Sequence, residues 1–397
     1  MSKRVFISGY GIISALGFDA GQNRNALKNL KPGIGKPNFL KTRQEVVVGE
    51  VDASNEQLTD MAALNGASNI SRTALLGLIA TKEAIQMAGL NKDTLIGTGL
   101  LNGTSVGGMD ISERAFGKVL NGQSVDYKAS FAGHDCGHST QFIVENLGVK
   151  GYNGTISTAC SSSANTLMHG ANLIKSSQLD CVIAGGTDAL SMFTLNGFNS
   201  LKILDSEWCR PFDQNRMGLN LGEGAAFLVL ESEEHLKARN GKALAELIGY
   251  GNANDAYHQT ASSPDGKGAF NAIKTAMEVA AVKPEQISYI NAHGTGTANN
   301  DQSESLALQT IFGKNMPPYS STKAFTGHTL GAAGGIEAVF SVMAIEQQVL
   351  LPSLNVKQPM DIIAAPNKEY KSAKVETVLS NSFGFGGNCS SLIFAQV

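Results

Sequence analysis

The chain of 397 residues sets 31 Lys and Arg against 34 Asp and Glu, a net charge of −3 that argues against a nucleic-acid binder, whose affinity rests on basic patches meeting phosphates. With 44 glycines and 16% charged residues it reads as a tightly packed α/β protein, one large domain or two intimately packed halves, and as neither fibrous nor disordered. No apolar stretch approaches a membrane span, and MSKRVFISGYG runs into a strand without a signal peptide's apolar core, so a cytoplasmic location is expected. Five cysteines, Cys136, Cys160, Cys181, Cys209 and Cys389, are odd in number and never in a CxxC pair; reduced thiols are expected, not a disulfide framework or a zinc ribbon.

In chain order, RVFISGYG predicts a strand, followed by a helix near 21–30, a helix over SRTALLGLIATKEAIQMAGL and a strand at TGLLNGTSVGG. TISTAC then leads into a helix over SSANTLMHGANLIKSS, and strands follow at DCVIAGGTDA and GAAFLVLES. This alternation of strand-like and helical periodicity predicts an α/β fold. Internal echoes suggest a duplication: ISGYGIIS with LIGYGNAN, TISTACSSS with YINAHGTGT, and CVIAGGTDA with VLSNSFGFGG. The polar stretch EHLKARNGKA reads as the connection, dividing the chain into 1–246, with insertions, and 247–397.

Cys160 falls where a strand gives way to a helix. A helix N-terminus offers unpaired N–H groups and partial positive charge that favour a thiolate, and small neighbours permit a sharp turn. A buried structural thiol is the other reading, and the commoner fate of a free cysteine. In NAHGTGTANND, His293 ends a strand beside glycines, where it can reach a cavity or simply bond a backbone group. In STKAFTGHTLGAAGGIEAVF, Lys323 precedes His328 by five residues, and Gly331 to Gly335 suit a helix that packs closely against a backbone or ligand. NSFGFGGN sets Phe383 and Phe385 among Gly384 and Gly386, either a gate or a tight turn with two core aromatics.

These four stretches, in this order, resemble the β-ketoacyl-acyl carrier protein synthases of the elongating type, from RVFISGYGIISALG to NSFGFGGNCSSLIF and including RPFDQNRMGLNLGEGAA. The resemblance implies a thiolase-like α/β fold of two duplicated βαβαβαββ-type halves in five α-β-α-β-α layers. It implies Cys160 as nucleophile, His293 and His328 as the pair for a malonyl thioester, and an oxyanion hole from the N–H groups of Cys160 and Phe385. Lys323, Glu337, Asp301 and Glu304 would support the histidines. Phe383, Gly384, Phe385 and Gly386 would form a gate, with Asp255 and Thr260 on a second moving loop. Met109, Ser112 and Phe198 would line the acyl pocket, and Lys202 would meet the acidic carrier protein. No cofactor is implied, the substrates riding on the carrier's phosphopantetheine; the partner expected is the carrier protein and a second copy or a homologous chain-length-factor subunit.

The chain departs from that family at several places. GGNC, with Asn388 and Cys389, stands where Gly-Gly-Thr-Asn is common, and a basic cluster usual near 55–65 is replaced by NEQLTDMAALNGAS. Asp110, Ser112, His134, Asp135 and His138 put polar groups where the family's acyl pocket and dimer contact are mainly apolar, which points toward a polyene or aryl-polyene pathway over housekeeping fatty-acid synthesis. His134, Cys136 and His138 in HDCGH fit no common zinc spacing and read as a bend, so no metal is expected. A chain-length factor usually lacks the nucleophilic cysteine, and a thiolase would need a second catalytic cysteine that only Cys389 could supply.

Overall fold

In the computed structural model, which describes residues 3–64 and 69–397, ten strands form one sheet. Its first half comprises β1 (Val5–Ser14), β2 (Gly99–Gly103), β3 (Asn153–Ile156), β4 (Cys181–Asp188) and β5 (Gly224–Ser232). The second comprises β6 (Ala245–Asn254), β7 (Tyr289–Asn291), β8 (Tyr319–Ser320), β11 (Thr377–Phe383) and β12 (Asn388–Ala395); β9 (Val349–Leu350) and β10 (Lys371–Ser372) pair separately. β6 begins two residues before the 246/247 division expected from the sequence.

The order β3-β2-β4-β5-β1-β6-β12-β11-β7-β8 is a mirror about its middle: β1 answers β6, β2 answers β7, β3 answers β8, β4 answers β11 and β5 answers β12. The halves meet where Phe6 and Ile7 pair with Glu246 and Ala245. Helices Ser162–Lys175 and Ala333–Gln347 pack on each other as the middle layer, the first against β2 and β4, the second against β11 and β5. Helix Arg72–Ala88 covers β1, β4 and β5 from outside, while Lys267–Ala280 covers β6 and β12. These layers realise the expected thiolase-like architecture.

The echo of ISGYG and LIGYG has a steric cause. A Cβ on Gly11 would lie 2.0 Å from the Ala80 carbonyl oxygen, and one on Gly251 would lie 2.2 Å from that of Ala272. Each half therefore seats its outer helix directly on strand backbone, which only glycine permits.

The second echo pairs the wrong elements. TISTAC belongs to β3, whose counterpart is β8, whereas YINAHG belongs to β7, the counterpart of β2. The junction matching Cys160 is thus the one that carries Lys323 and His328, and His293 answers the loop after β2. β8 is two residues long and too short for a period-2 signal, so sequence periodicity passed over it.

Candidate active site

Cys160 sits between β3 and the helix that starts at Ser162, with Ala159 at φ 52°, a left-handed conformation costing roughly 1–2 kcal/mol outside glycine. Three hydroxyl bonds hold this bend. Thr158 N–H donates to Ser162 Oγ at 2.9 Å, Ser162 Oγ donates to the Ala159 carbonyl at 2.6 Å, and Ser161 Oγ donates to Asn388 Oδ1 at 2.7 Å. Ser163 Oγ accepts the Gly335 N–H at 2.8 Å, tying the two middle helices together. The serines are bonded parts of the turn, where the sequence suggested only small residues. Asn388 also accepts from Asn165 and Asn252, at 2.9 and 3.0 Å, so the departure from Gly-Gly-Thr-Asn forms its own cross-link between the halves.

The backbone N–H groups of Phe385 and of Cys160 itself favour the thiolate of Cys160. Burial pushes its thiol up to about 11, against the opposing pull of the Lys323 cation and the Phe385 N–H. The depressed thiol expected from the helix N-terminus is absent, because desolvation outweighs these favourable contacts. Gly384 is essential to the approach: a Cβ there would stand 2.9 Å from the Thr158 carbonyl oxygen and 3.2 Å from Cys160 N.

Cys160, His293 and His328 line one cavity of about 220 Å³, together with Phe198, Lys202, Thr260, Phe383, Gly384 and Phe385. The histidine rings stand edge to face, 5.4 Å between centroids. Lys323 Nζ lies 3.1 Å from His293 Nδ1 and donates to the His293 carbonyl at 2.6 Å; it also pairs with Glu337. Leu330 N–H donates to His328 Nδ1 at 3.2 Å. Each Nδ1 thus accepts, which leaves the proton of the neutral ring on Nε2. Burial first, and then the Lys323 cation, hold both histidines well below their ordinary value. At neutral pH the pair consists of two uncharged donors.

The carboxylates behind them are all buried. Glu304 accepts the N–H groups of His293 and Gly294 at 2.9 and 2.8 Å, and burial pushes it up to about 6. Asp301 accepts from the N–H groups of Thr295, Gly296 and Phe212, with Arg216 3.8 Å away. Glu337 is pushed up to about 7 by burial despite Lys323. Sequence reading missed Asp188, a buried carboxylate at the end of β4 that bonds across to the other half; its only sequence signal is an acid two residues after the glycines of AGGTDA.

Around the gate, Phe198 and Phe385 stack at 5.5 Å, closing one wall. The second loop is bonded to the first: Gly386 N–H donates to the Gln259 carbonyl at 2.8 Å and Asp255 N–H to the Gly387 carbonyl at 3.1 Å, while Thr260 lines the cavity. Gly386 sits at φ 80°. Lys202 is exposed at the mouth. Met109 and Ser112 lie on helix Met109–Leu120 and are not among the lining residues; Ser112 Oγ is 2.9 Å from His134 Nδ1.

Asp135 caps helix Cys136–Leu147 through Gly137 N–H at 2.6 Å, so HDCGH is a bend and a helix start. Among the described residues the three groups placed for a metal ion are Cys181, Glu231 and His235, away from this cavity. There the Glu231 carboxylate already receives Arg239 Nε at 2.7 Å and faces His235 Nδ1 at 2.5 Å; these bonds outweigh burial and hold it at about 2. Cys389 lies in the core against helix Lys267–Ala280 and does not line the cavity, so the thiolase reading loses its second cysteine. Residues 55–61 form a helix capped by Ser54 that carries no basic residue; residues 65–68, the end of that stretch, lie outside the described residues.

Residues 2–235 match the family model of the β-ketoacyl synthase N-terminal domain, and residues 244–357 that of the C-terminal domain. The chain is 34% identical, over all of its length and 99% of the relative's, to 3-oxoacyl-[acyl-carrier-protein] synthase 2 of Staphylococcus aureus strain COL. Among solved structures it is similar over its whole length to the ishigamide ketosynthase/chain length factor, with TM-score 0.93, 28% identity and all of that chain covered. It is likewise similar to the ketosynthase ApeO in complex with its chain length factor ApeC from Xenorhabdus doucetiae, with TM-score 0.87, 32% identity and 98% of that chain covered.

Proposed function

The chain belongs to the β-ketoacyl synthase family, as a β-ketoacyl-acyl carrier protein synthase catalysing decarboxylative condensation, and from that premise we propose that Cys160, His293 and His328 divide the reaction between them. The observation that carries this assignment is one cavity lined by the Cys160 thiol, Phe385 and two neutral histidine donors.

Cys160 attacks the thioester of an acyl group on the carrier's phosphopantetheine. The N–H groups of Cys160 and Phe385 receive the tetrahedral oxyanion; the pantetheine sulfur then leaves with the thiol's proton. A malonyl thioester enters next. The Nε2–H groups of His293 and His328 donate to its carbonyl oxygen, stabilising the enolate as carbon dioxide departs. The enolate carbon attacks acyl-Cys160, the C–S bond breaks, and a β-ketoacyl product two carbons longer is released. Loss of carbon dioxide drives the step, so the reading needs no cofactor and no metal.

Lys202, exposed at the mouth, suits contact with an acidic carrier protein. Relatives titled as ketosynthase with chain length factor support the polyene or aryl-polyene reading over housekeeping elongation and make a second copy or a homologous subunit the expected partner, in the cytoplasm. The test is intact-mass detection of acyl-Cys160 with saturated and polyenoic acyl-carrier proteins. Acylation that persists in Cys160→Ala overturns the nucleophile; decarboxylation unaffected by His293→Ala or His328→Ala overturns the pair; a preference for saturated chains overturns the pathway.

A further inference from the structure

The turn that sets the tautomer of His328 is held from the opposite half of the molecule. Leu330 carries the N–H that bonds His328 Nδ1 and sits at φ 53°, a conformation that a leucine adopts only where neighbours enforce it. The next residue, Gly331, donates its N–H to Asp188 Oδ2 at 2.6 Å. Asp188 ends β4 in the first half and is wholly buried.

The same carboxylate takes four more bonds. Thr104 Oγ1 donates at 2.5 Å and Ser105 Oγ at 2.6 Å, while the N–H groups of Ser105 and Val106 reach it at 3.0 and 3.2 Å. The fit is tight, since a Cβ on Gly331 would stand 2.7 Å from Asp188 Oδ2 and 2.9 Å from Ser105 N. Glu304 does the matching work for His293, through the N–H groups of His293 and Gly294.

We propose that Asp188 is a positioning residue for the condensation, fixing the Leu330–Gly331 turn so that His328 presents Nε2–H to the malonyl carbonyl. A mere packing role would make Asp188 one more satisfied buried acid. A positioning role ties it to one histidine's proton, which can be read separately from activity.

The inference rests on the condensation reading for its kinetic arm, whereas its spectroscopic arm needs no substrate. The protein carries seven histidines, so ¹⁵N-histidine labelling with a His328→Gln control assigns the His328 signals. In the unaltered protein we expect Nε2 protonated and Nδ1 accepting. In Asp188→Asn, whose amide turns an N–H toward at least one of those donors, the His328 signals shift toward mixed tautomers. Turnover of malonyl-carrier decarboxylation falls about tenfold or more at unchanged KM. Should Asp188→Asn not accumulate as folded protein, Ser105→Ala removes one donor to Oδ2 and gives the same pattern more weakly. Unchanged His328 signals with turnover within twofold, in whichever variant is folded, overturn the proposal. Unaltered protein that shows the expected tautomer but does not decarboxylate malonyl-carrier protein overturns the condensation reading alone.

Discussion

Lys323 Nζ holds His293 at two points, the ring Nδ1 at 3.1 Å and the backbone carbonyl at 2.6 Å, so one ammonium fixes both the ring's orientation and its tautomer. The same group pairs with the buried Glu337 and helps to keep His293 uncharged.

Replacing Lys323 with Met removes this hold and leaves Glu337 to take up a proton. Malonyl decarboxylation is expected to fall about 100-fold, the scale of losing one oriented donor, while Cys160 remains alkylatable. His293, freed of the cation, should titrate closer to its ordinary value, readable by NMR. Decarboxylation within threefold of the unaltered protein contradicts the arrangement.

Cys160, pushed up to about 11 by burial, is mostly thiol at neutral pH. Its alkylation by iodoacetamide, followed by intact mass, should quicken about tenfold per pH unit between pH 7 and 10. A plateau near pH 7 would show a thiolate already formed and refute the burial argument.

Ala in place of Gly384 sets a methyl group 2.9 Å from the Thr158 carbonyl. The gate backbone must then retreat from Cys160 N and carry the Phe385 N–H with it. Acylation of Cys160 should slow at least about tenfold, since misplacement on the ångström scale has costs of that order. Stopped-flow or quench measurements of acyl transfer decide it, and a rate within twofold of the original argues against the Phe385 N–H as an oxyanion donor.

Glu304 is raised from an ordinary 4.5 to about 6, so its contribution to stability is fully present below pH 4.5 and is lost as pH rises through 6. Against Glu304→Gln, which has no such titration, the variant's stability deficit should be about 2 kcal/mol larger at pH 4.5 than at pH 7.5. Chemical denaturation at the two pH values measures it; a deficit that grows with pH means that the backbone N–H bonds outweigh burial.

How much of this was legible in the sequence varied with the range of the interaction. The GYG echoes were readable because helix-on-backbone contact demands glycine at fixed strand positions. Cys160, His293 and His328 stood out as reactive side chains at element ends, and they do share a cavity. The pairing of Cys160 with His293 by duplication failed because β8 is two residues long, and its loss displaced the correspondence by one strand. The thiol's direction of shift was also misjudged, since a helix start is visible locally whereas desolvation depends on the gate folding over from Gly384 and Phe385, far along the chain. Asp188 escaped for the same reason, its partner Gly331 lying in the other half, whereas Asn388 was visible as a departure from Gly-Gly-Thr-Asn and only its partners Ser161, Asn165 and Asn252 were not.

The seam between the two middle helices leaves no slack. A Cβ on Gly334 would meet Ala164 Cβ and N at 2.9 Å, and Gly335 is bonded to Ser163. Any side chain at 334 has to push these two helices apart, so Cys160, at the start of one, and His328, just ahead of the other, are held at a spacing that the seam does not let vary.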